Sequence, residues 1–265
     1  MDDPTPDSPT PDPTGLFDLA GRVAVVTGAS VGLGNRMARV LHAAGATVVV
    51  GARRMDRLEV LADELGDRCI PVACDVTSGD DCEALVETAA RAGDGHLDVL
   101  VNNAGISVIG PAETETYEDF TRVVDVNLNA VFRLCQLAYG PMVAGGGGSI
   151  VNVSSILGLV AGTPVKQAGY CAAKAGVVNL TRELGAQWAR RGVRVNSIAP
   201  GWFPSEMTEV MWGDESSERF VATNTAVGRA GATHELDGAL LFLASDASTY
   251  VIGQTLVVDG GWTIR

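Results

Sequence analysis

From Arg22 to Asp259 the chain repeats one pattern: a short run rich in Val, Ile and Leu, then a longer stretch whose apolar residues return every three or four positions. The short runs are "RVAVVTG" (22–28), "TVVVGA" (47–52), "CIPVAC" (69–74), "LDVLVNNAG" (97–105), "SIVNVSS" (149–155), "VRVNSIAP" (193–200) and "QTLVVD" (254–259). Strands this apolar, with little polar alternation, are buried on both faces. Helical periodicity covers 33–46, where Leu33, Met37, Val40, Leu41 and Ala44 share a side, then 55–66, 80–93, roughly 118–143, 168–190 and 233–244. Strands alternating with helices predict a parallel sheet covered on both faces, and right-handed crossovers make it doubly wound. In such α/β sheets ligands bind at the carboxyl ends of the strands.

What lies outside the pattern narrows the function. Residues 1–14 hold five prolines and four aspartates and are expected to be a disordered acidic tail, leaving 15–265 as one domain. A formal net charge of −13 argues against nucleic acid as a partner. No apolar run is long enough to span a membrane, and the N-terminus lacks the basic and apolar regions of a secretory signal. Five cysteines without a CxxC pair suit reduced thiols in the cytoplasm. Three scattered histidines offer no metal-ligand spacing.

Three stretches at strand ends, or in the helix that follows one, carry chemistry. "VVTGASVGLGNRMARV" follows the first strand and opens the first helix, with Gly28, Gly32 and Gly34 leaving backbone N–H groups bare for a pyrophosphate at a helix N-terminus. A second glycine run, at 145–148, precedes a strand and reads as a turn. "GYCAAKAG" (169–176) holds Lys174, one of only two lysines against seventeen arginines, four residues after Tyr170 and so on the same helical face. A free phenol titrates near pH 10. A cation about 4 Å away, at an effective dielectric near 20, would lower that by roughly three pH units and make the pair a general acid/base for alcohol–carbonyl interconversion. "SIVNVSS" ends in two serines, either of which could orient a substrate oxygen or simply cap a turn. Two asparagines in "DVNLNAVFRL" are unexpected inside a helical pattern.

"TGASVGLG", "NNAG" (102–105), "YCAAK" (170–174) and "PGWFPS" (200–205), in this order and spacing, resemble the short-chain dehydrogenase/reductase family from about Leu16 to Ile264. The resemblance implies a single Rossmann-type domain and an NAD(P)-dependent oxidoreductase passing a hydride between nicotinamide and a secondary alcohol or ketone. It is nearest to reductases of 3-oxoacyl carriers and to sugar-acid or polyol dehydrogenases. It assigns proton transfer to Tyr170, its tuning and a ribose contact to Lys174, substrate orientation to Ser155, and a water relay to Asn127. The gap from Ser155 to Tyr170 is fifteen residues, longer than in many relatives, which predicts a longer pocket wall in "LGLVAGTPVKQAG".

For the cofactor, the resemblance implies contacts from Gly28, Ser30, Gly32, Leu33 and Gly34, from Asp75 and the Val76 backbone to adenine, and from Asn103 and Gly105 beside the ribose. Phe203 and Ser205 fall at the nicotinamide. Ala52 stands where NAD-preferring relatives carry an acid, and Arg53 follows, so NADP is expected over NAD, with Arg54 either assisting or solvated. Residues 202–225, rich in Trp, Phe and Met, are expected to form a mobile substrate lid. A homotetramer through 118–143 and 168–190 is the usual assembly of the family. A dinucleotide-sensing regulator has no need of the Tyr–Lys–Ser set. A family epimerase or dehydratase acting on nucleotide sugars would normally have a larger C-terminal region.

Overall fold

In the computed structural model, residues 15–264 are described; the acidic tail expected at 1–14 lies outside them. Seven parallel strands form one sheet in the order β3-β2-β1-β4-β5-β6-β7. They are β1 (Val23–Thr27), β2 (Thr47–Ala52), β3 (Cys69–Ala73), β4 (Val99–Asn102), β5 (Gly148–Val153), β6 (Val193–Pro200) and β7 (Thr255–Val258). The helices are α1 (Gly32–Ala43), α2 (Met55–Leu65), α3 (Gly79–Ala92), α4 (Tyr117–Val124), α5 (Ala130–Ala144), α6 (Ala168–Trp188), α7 (Glu215–Asn224) and α8 (Asp237–Ala244).

The core explains why the strands read as unbroken apolar runs. Successive side chains alternate between two buried layers. Ala24, Val26, Val48, Val50 and Val101 pack with Met37 and Leu41 of α1, Leu58 of α2 and Leu240 of α8. Val23, Val25, Val49 and Leu100 pack on the other face with Leu85 of α3, Leu134 and Met142 of α5, and Val177 of α6. Leu33, Val40 and Ala44, predicted on the same face of α1, are partly buried against the first layer.

Three segments differ in detail from the periodicity. The long pattern at 118–143 is α4 and α5 joined by a π-turn, Asp125–Asn129, which the 3.6-residue period does not reveal. The pattern at 233–244 begins as a 3-10 turn, Thr233–Leu236, before α8. Residues 202–225 contain a 3-10 helix, Glu206–Met211, and α7. The strand order reverses between β1 and β4, so the crevice between their carboxyl ends lies at the topological switch point.

Candidate active site

The glycine loop fills that crevice. Gly28, at φ +66°, donates its N–H to the Gly51 carbonyl at 2.8 Å, and a Cβ there would lie 2.8 Å from the Ala104 backbone. At Gly34 a Cβ would lie 2.4 Å from the Gly28 carbonyl oxygen. Both positions therefore require glycine. The Asn103 side chain braces the turn, donating to the Thr27 carbonyl at 2.9 Å. Val31 precedes α1 and offers no side-chain cap, so the first N–H groups of that helix keep their capacity for an anion. A dinucleotide pyrophosphate fits this cradle. Ser205 stands opposite, 3.6 Å from where a Gly32 side chain would begin.

The ends of β2 and β3 bring together the residues read from the sequence for adenosine, with one addition. Asp75 accepts hydrogen bonds from the Thr77 hydroxyl and N–H, which hold its carboxyl below the usual range, with the Arg53 charge contributing. Val76 beside it is buried. Arg53 is exposed. Arg54 grips both carboxylate oxygens of Glu206, at 2.9 and 2.8 Å, and donates to the Ser30 hydroxyl at 3.0 Å. It thus ties the glycine loop to the segment after β6. Glu206 lies 152 residues from Arg54, and no spacing in the sequence links them.

At the other end of the crevice, β5 delivers two serines to different tasks. The Ser154 hydroxyl donates to the Lys174 carbonyl at 3.0 Å and fastens β5 to α6. Ser155 instead faces a cleft beside Tyr170, where its hydroxyl favours the phenolate through a hydrogen bond. The structure thereby separates two serines that the residues alone left equivalent. The lengthened connection contributes Ile156, Leu157, Val165 and Gln167 to the cleft wall.

Lys174 is 3% exposed and donates from Nζ to the Val153 carbonyl at 2.7 Å. Its Nζ lies 5.6 Å from the centroid of the Tyr170 ring, in cation–π range. The sequence-based expectation of a cation that depresses the phenol pKa is corrected here. Burial pushes Tyr170 up to about 12, against the opposing pull of Ser155, and the ammonium is not among the groups that set its value. The tyrosine is partly exposed to the cleft, so water there moderates the effect. Burial also pushes Lys174 down, to about 8. Desolvation is the leading cause at both groups, because burial disfavours the phenolate and the ammonium alike.

Asn127 sits in the π-turn, fully buried, and its side chain clamps the chain after β4: Oδ1 accepts from the Ile106 N–H at 3.2 Å and Nδ2 donates to the Ile106 carbonyl at 2.8 Å. Single π-turns within helices are frequent at functional sites. A Cβ on Gly105 would lie 2.6 Å from Asn127 Oδ1 and 3.7 Å from Lys174 Nζ, so these three residues meet at one point. Asn129 bonds Asp125 at the surface.

After β6, Phe203 is buried, and its carbonyl accepts from the Thr208 hydroxyl at 2.8 Å. That hydroxyl also contacts Ser205 Oγ at 3.0 Å and accepts from the Trp212 indole N–H at 2.9 Å. Thr208 therefore organises the segment, a role that its place in the sequence did not signal. Among the described residues no cluster of His, Cys, Asp and Glu could hold a metal, and no helix is long and apolar enough to cross a membrane.

Comparison with known proteins places this geometry among relatives. Residues 28–263 match a family model described as enoyl-(acyl carrier protein) reductase. The 3-oxoacyl-(acyl-carrier-protein) reductase of Rickettsia bellii is 39% identical over 93% of this chain and 98% of its own. A short-chain type dehydrogenase/reductase from Mycobacterium marinum superposes with a TM-score of 0.89 at 37% identity, covering 94% of this chain and 98% of that one. A gluconate 5-dehydrogenase from Burkholderia cenocepacia, solved in complex with NADP and tartrate, gives 0.88 at 36% identity, covering 95% and 99%.

Proposed function

This chain belongs to the short-chain dehydrogenase/reductase family, and we propose that it is an NADP(H)-dependent oxidoreductase that reduces a ketone to a secondary alcohol. One observation carries the reading. Ser155 and Tyr170 turn their hydroxyls into the same cleft, beside a lysine that is buried and charged. When bound, the reduced nicotinamide supplies a hydride to the carbonyl carbon. Ser155 donates a hydrogen bond to the carbonyl oxygen and fixes its direction. Tyr170, held protonated at neutral pH by its burial, gives its proton to that oxygen as the C–O double bond becomes single. Lys174 lies beside the phenolate left behind. With its own pKa near 8, it can return a proton to that phenolate. Asn127, in contact with Gly105, keeps the pocket wall around Lys174 in place.

Support for NADP over NAD comes from the end of β2, where the chain carries Ala52 and the exposed Arg53 in place of an acid, and from NADP in the gluconate dehydrogenase relative. A homotetramer through α4, α5 and α6 belongs to the same proposal, with the exposed Phe132 of α5 in its favour. Five free cysteines support a cytoplasmic location. The cover over the cleft is the 202–225 segment, whose Met207 and Met211 line it. The test is purified protein with NADPH or NADH and a ketone panel. Consumption of NADPH in preference to NADH, coupled to alcohol formation, is the expected result. Cofactor binding with no turnover on any ketone would support a sensing role instead.

A further inference from the structure

The cleft that holds Ser155 and Tyr170 also restricts what can be reduced there. It encloses about 520 Å³, open mouth included, and none of its thirteen lining residues is charged. Ile156, Leu157 and Val165 face Trp202, Met207 and Met211 across it. Apolar surface continues to the solvent at Ile109, a lining residue that is 57% exposed.

The charges nearest the cleft serve other purposes. Lys174 lies behind Tyr170, bonded to the Val153 carbonyl. Lys166 sits between the lining residues Val165 and Gln167 but is itself exposed, and its carbonyl accepts from the Gly110 N–H. Glu115 accepts from the Gly169 N–H. Glu206, paired with Arg54, and the exposed Glu209 put carboxylates on the helix that carries Met207, in a chain of net charge −13. A carboxylate entering the cleft would shed water against apolar side chains, meet no cation among the lining residues and approach against a negative field. Among the lining residues, the Ser107 hydroxyl, the buried Trp202 indole N–H and the Gln167 carboxamide have no hydrogen bond to a described residue. Gln167 is 8% exposed, and its carboxamide can pair with an uncharged oxygen.

Resting on the oxidoreductase reading, we propose that the substrate is an uncharged ketone with an apolar flank and a second uncharged oxygen that meets Gln167, and that sugar acids and other carboxylates are rejected. The ketone carbonyl meets Ser155 and Tyr170, and the flank lies along Ile156, Val165 and Met211. The recognition is chemical, by absence of charge, and separates this cleft from one built for an acid.

Ethyl 4-oxohexanoate and 4-oxohexanoate share their ketone and six-carbon acyl chain and differ in charge and in the ester's ethyl group. Uncharged and without that group, 4-oxohexanamide serves as the control that should side with the ester. With NADPH, kcat/KM for the ester is expected to exceed that for the acid at least about a hundredfold. In the presence of cofactor, the ester is expected to quench tryptophan fluorescence where the acid does not. Met207→Arg, at a position 38% exposed, should raise the ratio of kcat/KM for the acid to that for the ester by about tenfold. Gln167→Leu should cost the ester about tenfold while sparing 3-hexanone, which lacks the second oxygen. Equal handling of acid and ester by the wild type overturns the proposal, as does preference for a keto sugar acid such as 5-ketogluconate. Failure of the ester to bind overturns it too. If the ester binds selectively but is not reduced, the substrate class stands and the oxidoreductase reading falls.

Discussion

Replacing Lys174 by Met keeps the length of the side chain and removes its charge, and stability against pH then reports how strongly that charge is desolvated. Burial lowers Lys174 from 10.5 to about 8 in the folded protein. Below pH 8 the lysine is protonated whether folded or not, and the fold carries the whole cost of the buried ammonium. Between pH 8 and 10.5 the unfolded chain binds more protons than the folded one, so stability contributed at this site rises with pH. At about 1.36 kcal/mol per pH unit, the interval is worth about 3 kcal/mol. The side chain is 3% exposed, so solvent screening takes little from that figure. The bond lost to the Val153 carbonyl shifts the variant by a constant that does not depend on pH. Tyr170, pushed up to about 12, contributes stability that fades above pH 10 in both proteins and largely cancels in the difference. Urea unfolding of both at steps from pH 7 to 10.5 is the assay. The wild type should gain about 3 kcal/mol relative to Lys174→Met across the upper part of that range. A difference that stays flat, or that runs the other way, would refute the claim that burial dominates at Lys174.

Lys174→Arg keeps the charge but should lose at least about a hundredfold in kcat, because a planar guanidinium does not fit the compact site between Val153 and the Tyr170 ring; a near wild-type rate would show the lysine to be incidental. Arg53→Ala and Arg54→Ala should each lower kcat/KM for NADPH about tenfold and leave NADH little affected, measured side by side; unchanged NADPH preference in both would place the discrimination elsewhere. Hydrogen exchange across 202–225 should slow when cofactor and ketone bind together, and equal protection with and without them would count against a closing lid.

The strands could be read in the sequence because both faces of the sheet are covered, leaving Val and Ile at nearly every strand position. The Tyr170–Lys174 pair was legible because a helix fixes side chains four residues apart on one face, in a chain with almost no other lysine. Other features depend on contacts between distant segments. Ser154 and Ser155 are adjacent and chemically identical, and only the packing of α6 against β5 assigns them different partners. The π-turn at Asp125–Asn129 showed only as two asparagines in a helical pattern, because one wider turn leaves the surrounding periodicity nearly unchanged. The direction of the Tyr170 pKa could not be found from spacing, since it turns on burial, and burial belongs to the assembled sheet.

The central claim is that Tyr170 delivers the proton that accompanies hydride transfer. It is tested most directly by single-turnover reduction of a ketone substrate with NADPH, comparing the wild type with Tyr170→Phe and measuring NADPH affinity alongside. The phenylalanine keeps the ring over Lys174 and removes the titrating hydroxyl. The account predicts a loss of roughly 10²–10⁴ in the rate of the chemical step with NADPH affinity largely intact. Retention of more than about a tenth of the wild-type rate would contradict it.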